Sequence, residues 1–286
     1  MATNSPNLKK RENRQPEEAN IRNLASLRLI FSLTLRQLFW SKKSILICLL
    51  AAFPPALAIV TIIVKQLELS SVGLGNLGLF SVMMFFLFLQ FLILIITLFY
   101  GTALIADEIE AKTLTHLFTS PIPKGTILLG KFLALVAITS LIVIISALAT
   151  YAILIGQMGA YKLMEHLPTL LKDIGVLLLG IFCYGALFTF LGIQTKRPII
   201  IGLLFSFGWE SIISYVPGQV KRLTIMHYLQ SIFPHQMFPS DMRGLLAIFH
   251  KATPFLPSLI ALIGICLAFL LFSLITLYSK EYPLET

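Results

Sequence analysis

The feature that most constrains this chain is a series of long stretches without Asp, Glu, Lys or Arg. They cover residues 44–64, 69–106, 132–161, 174–195 and 252–279, and a sixth, 198–220, is interrupted only by Glu210. A helix needs about 20 mostly apolar residues to cross about 30 Å of hydrocarbon at 1.5 Å per residue. Each stretch is long enough. The expected fold is therefore an all-α membrane protein with six transmembrane helices, at about 44–64, 79–105, 127–155, 174–195, 198–216 and 258–279. Composition agrees, since 57% of residues are hydrophobic and 12% charged, against about 25% charged in soluble domains. Residues 1–22 read as a polar cytoplasmic tail and 23–286 as a single transmembrane domain.

The distribution of basic residues sets an orientation. Nine of the 22 Lys and Arg residues, Lys9 through Lys43, precede the first long apolar stretch. Such a cluster beside a span reads as a cytoplasmic anchor facing anionic lipid. With the N-terminus inside, Lys112, Lys124, Lys131, Lys196, Arg197 and Lys280 also fall on the inner side. Lys65, Lys162, Lys172, Lys221, Arg222, Arg243 and Lys251 fall outside, four of them in one longer segment that weighs less in the rule. Both termini are thus expected in the cytoplasm. The formal charge of +9 is a topology signal, and no nucleic-acid partner is expected: the Arg and aromatic residues are not interleaved as base-stacking surfaces require.

Three features modify the plain six-helix pattern. Leu24, Leu27, Phe31, Leu35 and Leu38 recur at helical spacing, with Arg22, Ser26, Ser32 and Arg36 roughly opposite. This predicts an N-terminal amphipathic helix lying in the inner interface, although Leu29 and Leu33 intrude on its polar face. Pro54-Pro55 should kink the first span by removing backbone donors. Residues 217–257 hold Pro217, Pro234, Pro239, Pro254 and Pro257 among apolar residues, as short helices dipping into the outer leaflet before the last span would require.

Catalytic and cofactor motifs are scarce. The sequence contains no G-x-x-x-x-G-K-[ST] phosphate loop, no H-E-x-x-H, no G-x-S-x-G and no C-x-x-C. No cofactor, metal or catalytic residue is assigned to this chain. Cys48, Cys183 and Cys266 lie singly in apolar runs and read as small core residues. His227, His235, Asp241 and His250 share one segment, but their spacing fits no ligand pattern, so capping or exposed roles are expected.

The stretch 107–131, DEIEAKTLTHLFTSPIPKGTILLGK, carries the most information. Asp107, Glu108 and Glu110 open it at an expected helix N-terminus, where the dipole favours acids, and Glu108 and Lys112 are spaced for an i,i+4 pair. Ala111, Leu114, Leu117 and Phe118 form an apolar side, and Pro121 and Pro123 stop the helix. A short amphipathic helix of this kind is suited either to a groove on a partner protein or to an ordinary interfacial loop.

In the order of these features the chain resembles the permease subunits of type-2 ATP-binding-cassette exporters. Those have an amphipathic first helix, six spans, an acidic helix after the second and a TSP…ILLGK stretch leading into the third. The matching residues here are Glu110, Thr113, Thr119-Ser120-Pro121 and Ile127-Leu128-Leu129-Gly130-Lys131. Where the family commonly has Glu-x-Gly-Thr, this chain has Glu110-Ala111-Lys112-Thr113. The resemblance implies that Asp107, Glu108, Glu110, Lys112, Leu114 and Phe118 belong to a coupling helix that docks on a separate cytoplasmic ATPase, which binds the ATP. It further implies a dimer of two permease halves, identical or not, in a bacterial cytoplasmic (inner) membrane, and outward movement of a substrate whose identity the sequence leaves open.

Glu210 stands about 12 residues into the expected fifth span, near mid-membrane. An acid there costs about 2.5 kcal/mol or more unless paired, protonated or hydrated. It is either a functional group or a structural hydrogen-bond partner of a neighbouring helix. The rival reading of the whole chain is a membrane-embedded enzyme acting on a lipid or isoprenoid carrier, for which clustered acids, His or Arg at a membrane face would be expected.

Overall fold

The computed structural model describes residues 24–67, 75–110, 122–213, 219–233 and 253–279, and among these there is helix and turn but no strand. Helix α1 covers 24–39. Helix α2 is Lys42–Gln66, its first turn capped by the Ser41 hydroxyl, which accepts from the Lys43 amide. Helix α3 is continuous from Asn76–Met83 through a π-helical stretch, Met84–Leu92, to Ile93–Glu110. Helices α4 (Lys124–Gly156), α5 (Ala160–Glu165) and α6 (Leu167–Gln194) follow. Helix α7 starts at Pro198–Leu203, becomes π-helical over Leu204–Glu210 and ends with Ser211–Ile213. A 3-10 turn at Val220–Leu223 leads into α8, Ile225–Ile232, and α9 is Phe255–Ser279.

Five of these helices are long and apolar enough to cross a membrane: Lys43–Gln66, Asn76–Ala106, Lys124–Gly156, Leu167–Gln194 and Phe255–Ser279. The expected spans agree with them to within a few residues, except that the fourth begins at Leu167 rather than 174. The charge count ended that span at Asp173, which is fully buried within α6. The expected fifth span is a shorter apolar helix, Pro198–Glu210, extended by one turn.

The bundle is built around α3 and α6, which pack along one another; α9 covers α6, and α2 lies on α4. The α3–α6 crossing is close because glycines face it. A Cβ on Gly192 would stand 2.8 Å from the Thr102 carbonyl oxygen, and one on Gly101 would stand 2.8 Å from Phe188 Cβ. Small residues let helix backbones approach where apolar burial cannot drive association, because lipid is as apolar as the side chains.

Polar ties fix which helix ends lie together. At one end, here the near end, the Lys131 ammonium donates to the Leu104 carbonyl at 3.4 Å and the Lys124 ammonium to that of Leu277 at 3.2 Å. Ser44 and Tyr100 share a hydroxyl hydrogen bond of 2.9 Å there. At the far end, the Lys65 ammonium donates to Asn76 Oδ1, and Asn76 Nδ2 to the Leu154 carbonyl, each at 3.1 Å. The start of α2, the end of α3, the start of α4, the end of α6 and the end of α9 therefore share the near end.

Both prolines of the first span lie inside α2. Pro55 has no N–H for the carbonyl of Ala51, four residues back. The Ser146 hydroxyl of α4 donates to that same carbonyl. A backbone acceptor exposed by proline is thus satisfied by a neighbouring helix, as hydrocarbon requires.

On α1 the buried residues are Ile30, Thr34 and Leu38, with Leu27, Phe31 and Leu35 half-buried and Leu24 exposed. The apolar stripe read from sequence is displaced by about one residue because α1 rests on α4. A Cβ on Gly130 would be 3.0 Å from Ile30 Cγ2, so the glycine of the ILLGK stretch admits α1 at close range.

Candidate functional site

Glu210 lies at the last position of the π-helical stretch of α7 and is fully buried. It stands at the end of the shorter apolar helix that Pro198 starts. Its carboxyl group accepts three hydrogen bonds. The Ile225 amide donates to Oε1 at 3.1 Å, the Met226 amide to Oε2 at 3.0 Å, and the Tyr184 hydroxyl to Oε2 at 3.1 Å.

The first two donors are the opening amides of α8. The four leading N–H groups of a helix have no partner within it. Here the Thr224 side chain takes the third, accepting from the His227 amide at 3.3 Å, and Glu210 takes the first two from another element altogether. The negative end of the carboxyl group also faces the positive end of the α8 dipole. Tyr184 is held in turn by α6 packing, fully buried and stacked on Phe188 with ring centroids 6.2 Å apart.

The site therefore joins three elements: α6 through Tyr184, α7 through Glu210, and the start of α8. Leu229 of α8 would be 3.3 Å from a Cβ on Gly180, one turn nearer the start of α6 than Tyr184. Helix α8 thus begins at the depth of Glu210 and runs toward the far end, in the direction α7 was taking. The arrangement is a discontinuous helix whose second piece is capped by an acid from the first. Interrupted helices inside a membrane are tolerated only where the freed backbone groups are met within the protein, and Glu210 meets two of them.

The other residues singled out from sequence lie elsewhere. Asp107, Glu108 and Glu110 do not open a helix as expected but continue α3 in its last described turn at the near end, because the apolar run of α3 carries the helix on through them; their side chains, and Lys112, Leu114 and Phe118 altogether, are outside the described residues. His227 is buried in α8 beside Tyr228, and among the described residues no cluster of His, Cys, Asp or Glu has metal-site geometry. His235, Asp241 and His250 are outside the described residues. Cys48 proves exposed on α2 rather than a core residue, whereas the buried Cys183 thiol donates to the Leu262 carbonyl of α9.

Several residues escaped the sequence reading. Tyr184 and Thr224 complete the Glu210 site, yet they stand 26 and 14 positions away with no motif linking them. The only signal for Thr224 is a hydroxyl residue immediately before a short apolar periodic segment. Lys131 looked like the loop-side flank of a span, but it is almost fully buried inside α4.

Comparison with family models matches residues 30–281 to the ABC-2 family transporter protein model, a range that contains every described helix from Ile30 of α1 onward. Comparison with curated proteins gives no match.

Proposed function

The chain belongs to the ABC-2 family of transporter proteins, and on that premise we propose that it is the permease half of an exporter driven by a separate ATPase subunit. The observation that carries this reading is the extent of the match, which runs through all five membrane-length helices. Family membership makes the chain a multi-pass transport subunit. ATP binding belongs to the partner, and transport is favoured over the enzyme reading because the family is one of transporters.

Six crossings are supported by parity. Helix α6 ends at the near end and α9 also ends there, so the chain must reach the far end between residues 195 and 254. Helices α7 and α8 occupy that interval and run toward the far end in sequence. They act together as the fifth crossing, with α8 as its outer-leaflet piece. The near end carries Lys43, Lys124, Lys131, Lys196 and Arg197 and is placed in the cytoplasm by the positive-inside rule.

Helix α3 then delivers residues 107–118 to the cytoplasm, where Asp107, Glu108, Glu110, Lys112, Leu114 and Phe118 form the surface that docks on the ATPase. Movement there is passed along α3 to α6 through their glycine-faced crossing. The Glu210 cap holds the outer piece α8 to α6 and α7. It acts as a latch, keeping the outer half of the bundle closed until α6 and α7 shift. The exposed apolar faces of α2, with Ile45, Leu49 and Ile63, and of α9, with Ile260, Leu267 and Leu271, are covered by lipid and by a second permease half.

Affinity purification of the tagged full-length chain in mild detergent tests the reading. A co-purifying subunit with a phosphate-loop motif, and ATP hydrolysis by the complex, are expected. A chain that purifies without any nucleotide-hydrolysing partner, from membranes where that partner is expressed, would contradict it.

A further inference from the structure

A cleft of about 310 Å³ opens at the near end between α2, α3 and the α6–α7 turn. Its rim carries three cations, Lys43, Lys196 and Arg197, and its wall is apolar, with Ala103, Ala106 and Ile200 among the lining residues. Among the described residues no carboxyl group lines it. Lys196 and Arg197 are both exposed and follow directly on the end of α6. They are held in register by the turn between Gln194 and Pro198, since Pro198 is buried and starts the next helix.

Two features make this more than a general basic edge. The cations converge on one cleft from two separate parts of the chain, the start of α2 and the α6–α7 turn. The cleft also pairs a cationic rim with an apolar wall, the combination that receives a ligand with an anionic head and a hydrocarbon tail. A guanidinium presents a planar fork of donors to phosphate oxygens, with ammonium groups as additional point charges. Basic pockets between membrane helices on the cytoplasmic side are suited to anionic lipid headgroups.

We infer that this cleft binds the phosphate headgroup of an anionic membrane lipid, its acyl chains lying along the apolar wall between α3 and α7. The inference goes beyond the transport reading and rests only on the cleft, so it stands or falls separately from ATPase coupling. The site is saturable, unlike the annular lipid around the bundle.

The test is titration of the purified full-length chain with phosphatidylglycerol, phosphatidylcholine or inorganic phosphate, read by native mass spectrometry. A saturable phosphatidylglycerol adduct is expected, with no comparable phosphatidylcholine adduct and no competition by equimolar inorganic phosphate. K196Q/R197Q should weaken that adduct by about thirtyfold, the loss that two surface cations account for. K196R/R197K should keep it, and K162Q/K172Q, which removes two exposed lysines at the far end, should leave it unchanged. Equal binding by wild type and K196Q/R197Q, or equal loss in K162Q/K172Q, would overturn the site. Competition by inorganic phosphate at equal concentration would overturn the lipid assignment in favour of a soluble anion.

Discussion

The Tyr184 hydroxyl donates to Glu210 Oε2 at 3.1 Å, joining the middle of α6 to the point where α7 breaks off. The same oxygen accepts the Met226 amide, so one carboxyl group connects a long helix to the start of a short one. An isolated acid, fully buried as Glu210 is, would be costly. With three donors around it, its removal becomes the costly change, because the donors stay buried.

Glu210→Ala leaves the Ile225 and Met226 amides and the Tyr184 hydroxyl without their acceptor, at about 1–3 kcal/mol for each group left unsatisfied. The expected result is a clear fall in the unfolding midpoint and in abundance. Glu210→Gln keeps size and one acceptor, and Tyr184→Phe loses one donor for about 1 kcal/mol. If the cap is also a latch, both milder variants lower transport per molecule at near-normal abundance. Thermal unfolding in detergent, paired with transport normalised to protein level, separates the two effects. Unchanged unfolding in Glu210→Ala would remove the cap from the account.

The Ser146 hydroxyl and the Ala51 carbonyl provide a second measure of buried backbone cost. Ser146→Ala should destabilise by about 1–3 kcal/mol, since the carbonyl released by Pro55 then has no donor. Pro55→Ala restores an amide to the helix. Ser146→Ala should therefore cost much less in a Pro55→Ala background, a coupling that a double-mutant cycle reads directly. Additive effects of the two substitutions would show that Ser146 does not replace the missing amide.

How far the sequence foretold this architecture depended on whether charge reports depth. It did so for α2, α3 and α9, where the apolar runs between charges match the helices to within a few residues. It misled at α6, because Lys172 and Asp173 ended the run seven residues late although Asp173 is enclosed by helices. At α7 the single acid was visible but its purpose was not. Glu210 caps a helix that starts 15 residues later, and the Tyr184 contact depends on α6 and α7 packing antiparallel. Neither relation leaves a local pattern. The face of α1 was misjudged by a residue because Gly130, a hundred positions away, decides where α1 can approach.

Glycine contacts at the α3–α6 crossing predict unequal tolerance. Gly192→Ala places a Cβ against the Thr102 backbone, where nothing flexible can yield, and should cost about 1–3 kcal/mol as overpacking does. Gly175, on the same helix, has nothing within 4 Å of its Cβ position. Gly175→Ala should be neutral or slightly stabilising, since alanine is the better helix former. Similar unfolding midpoints for the two variants would contradict the close crossing.

Orientation is tested by single cysteines at Ser5, Thr115, Gln219 and Ser240, in a background where Cys48, Cys183 and Cys266 are replaced. An impermeant thiol reagent applied to intact cells should label the last two positions and spare the first two. The reverse pattern would invert the bundle.

The central claim, that residues 107–118 couple this permease to an ATPase, is tested most directly by photo-crosslinking from position 118 in living cells. A photoreactive amino acid replacing Phe118 should give one dominant adduct, with a subunit that carries a phosphate loop. Glu110→Lys in the same chain should weaken that adduct and uncouple hydrolysis from transport, with insertion into the membrane unchanged. Crosslinks from position 118 to lipid alone, with undiminished ATP-driven transport in the Glu110→Lys chain, would contradict the account.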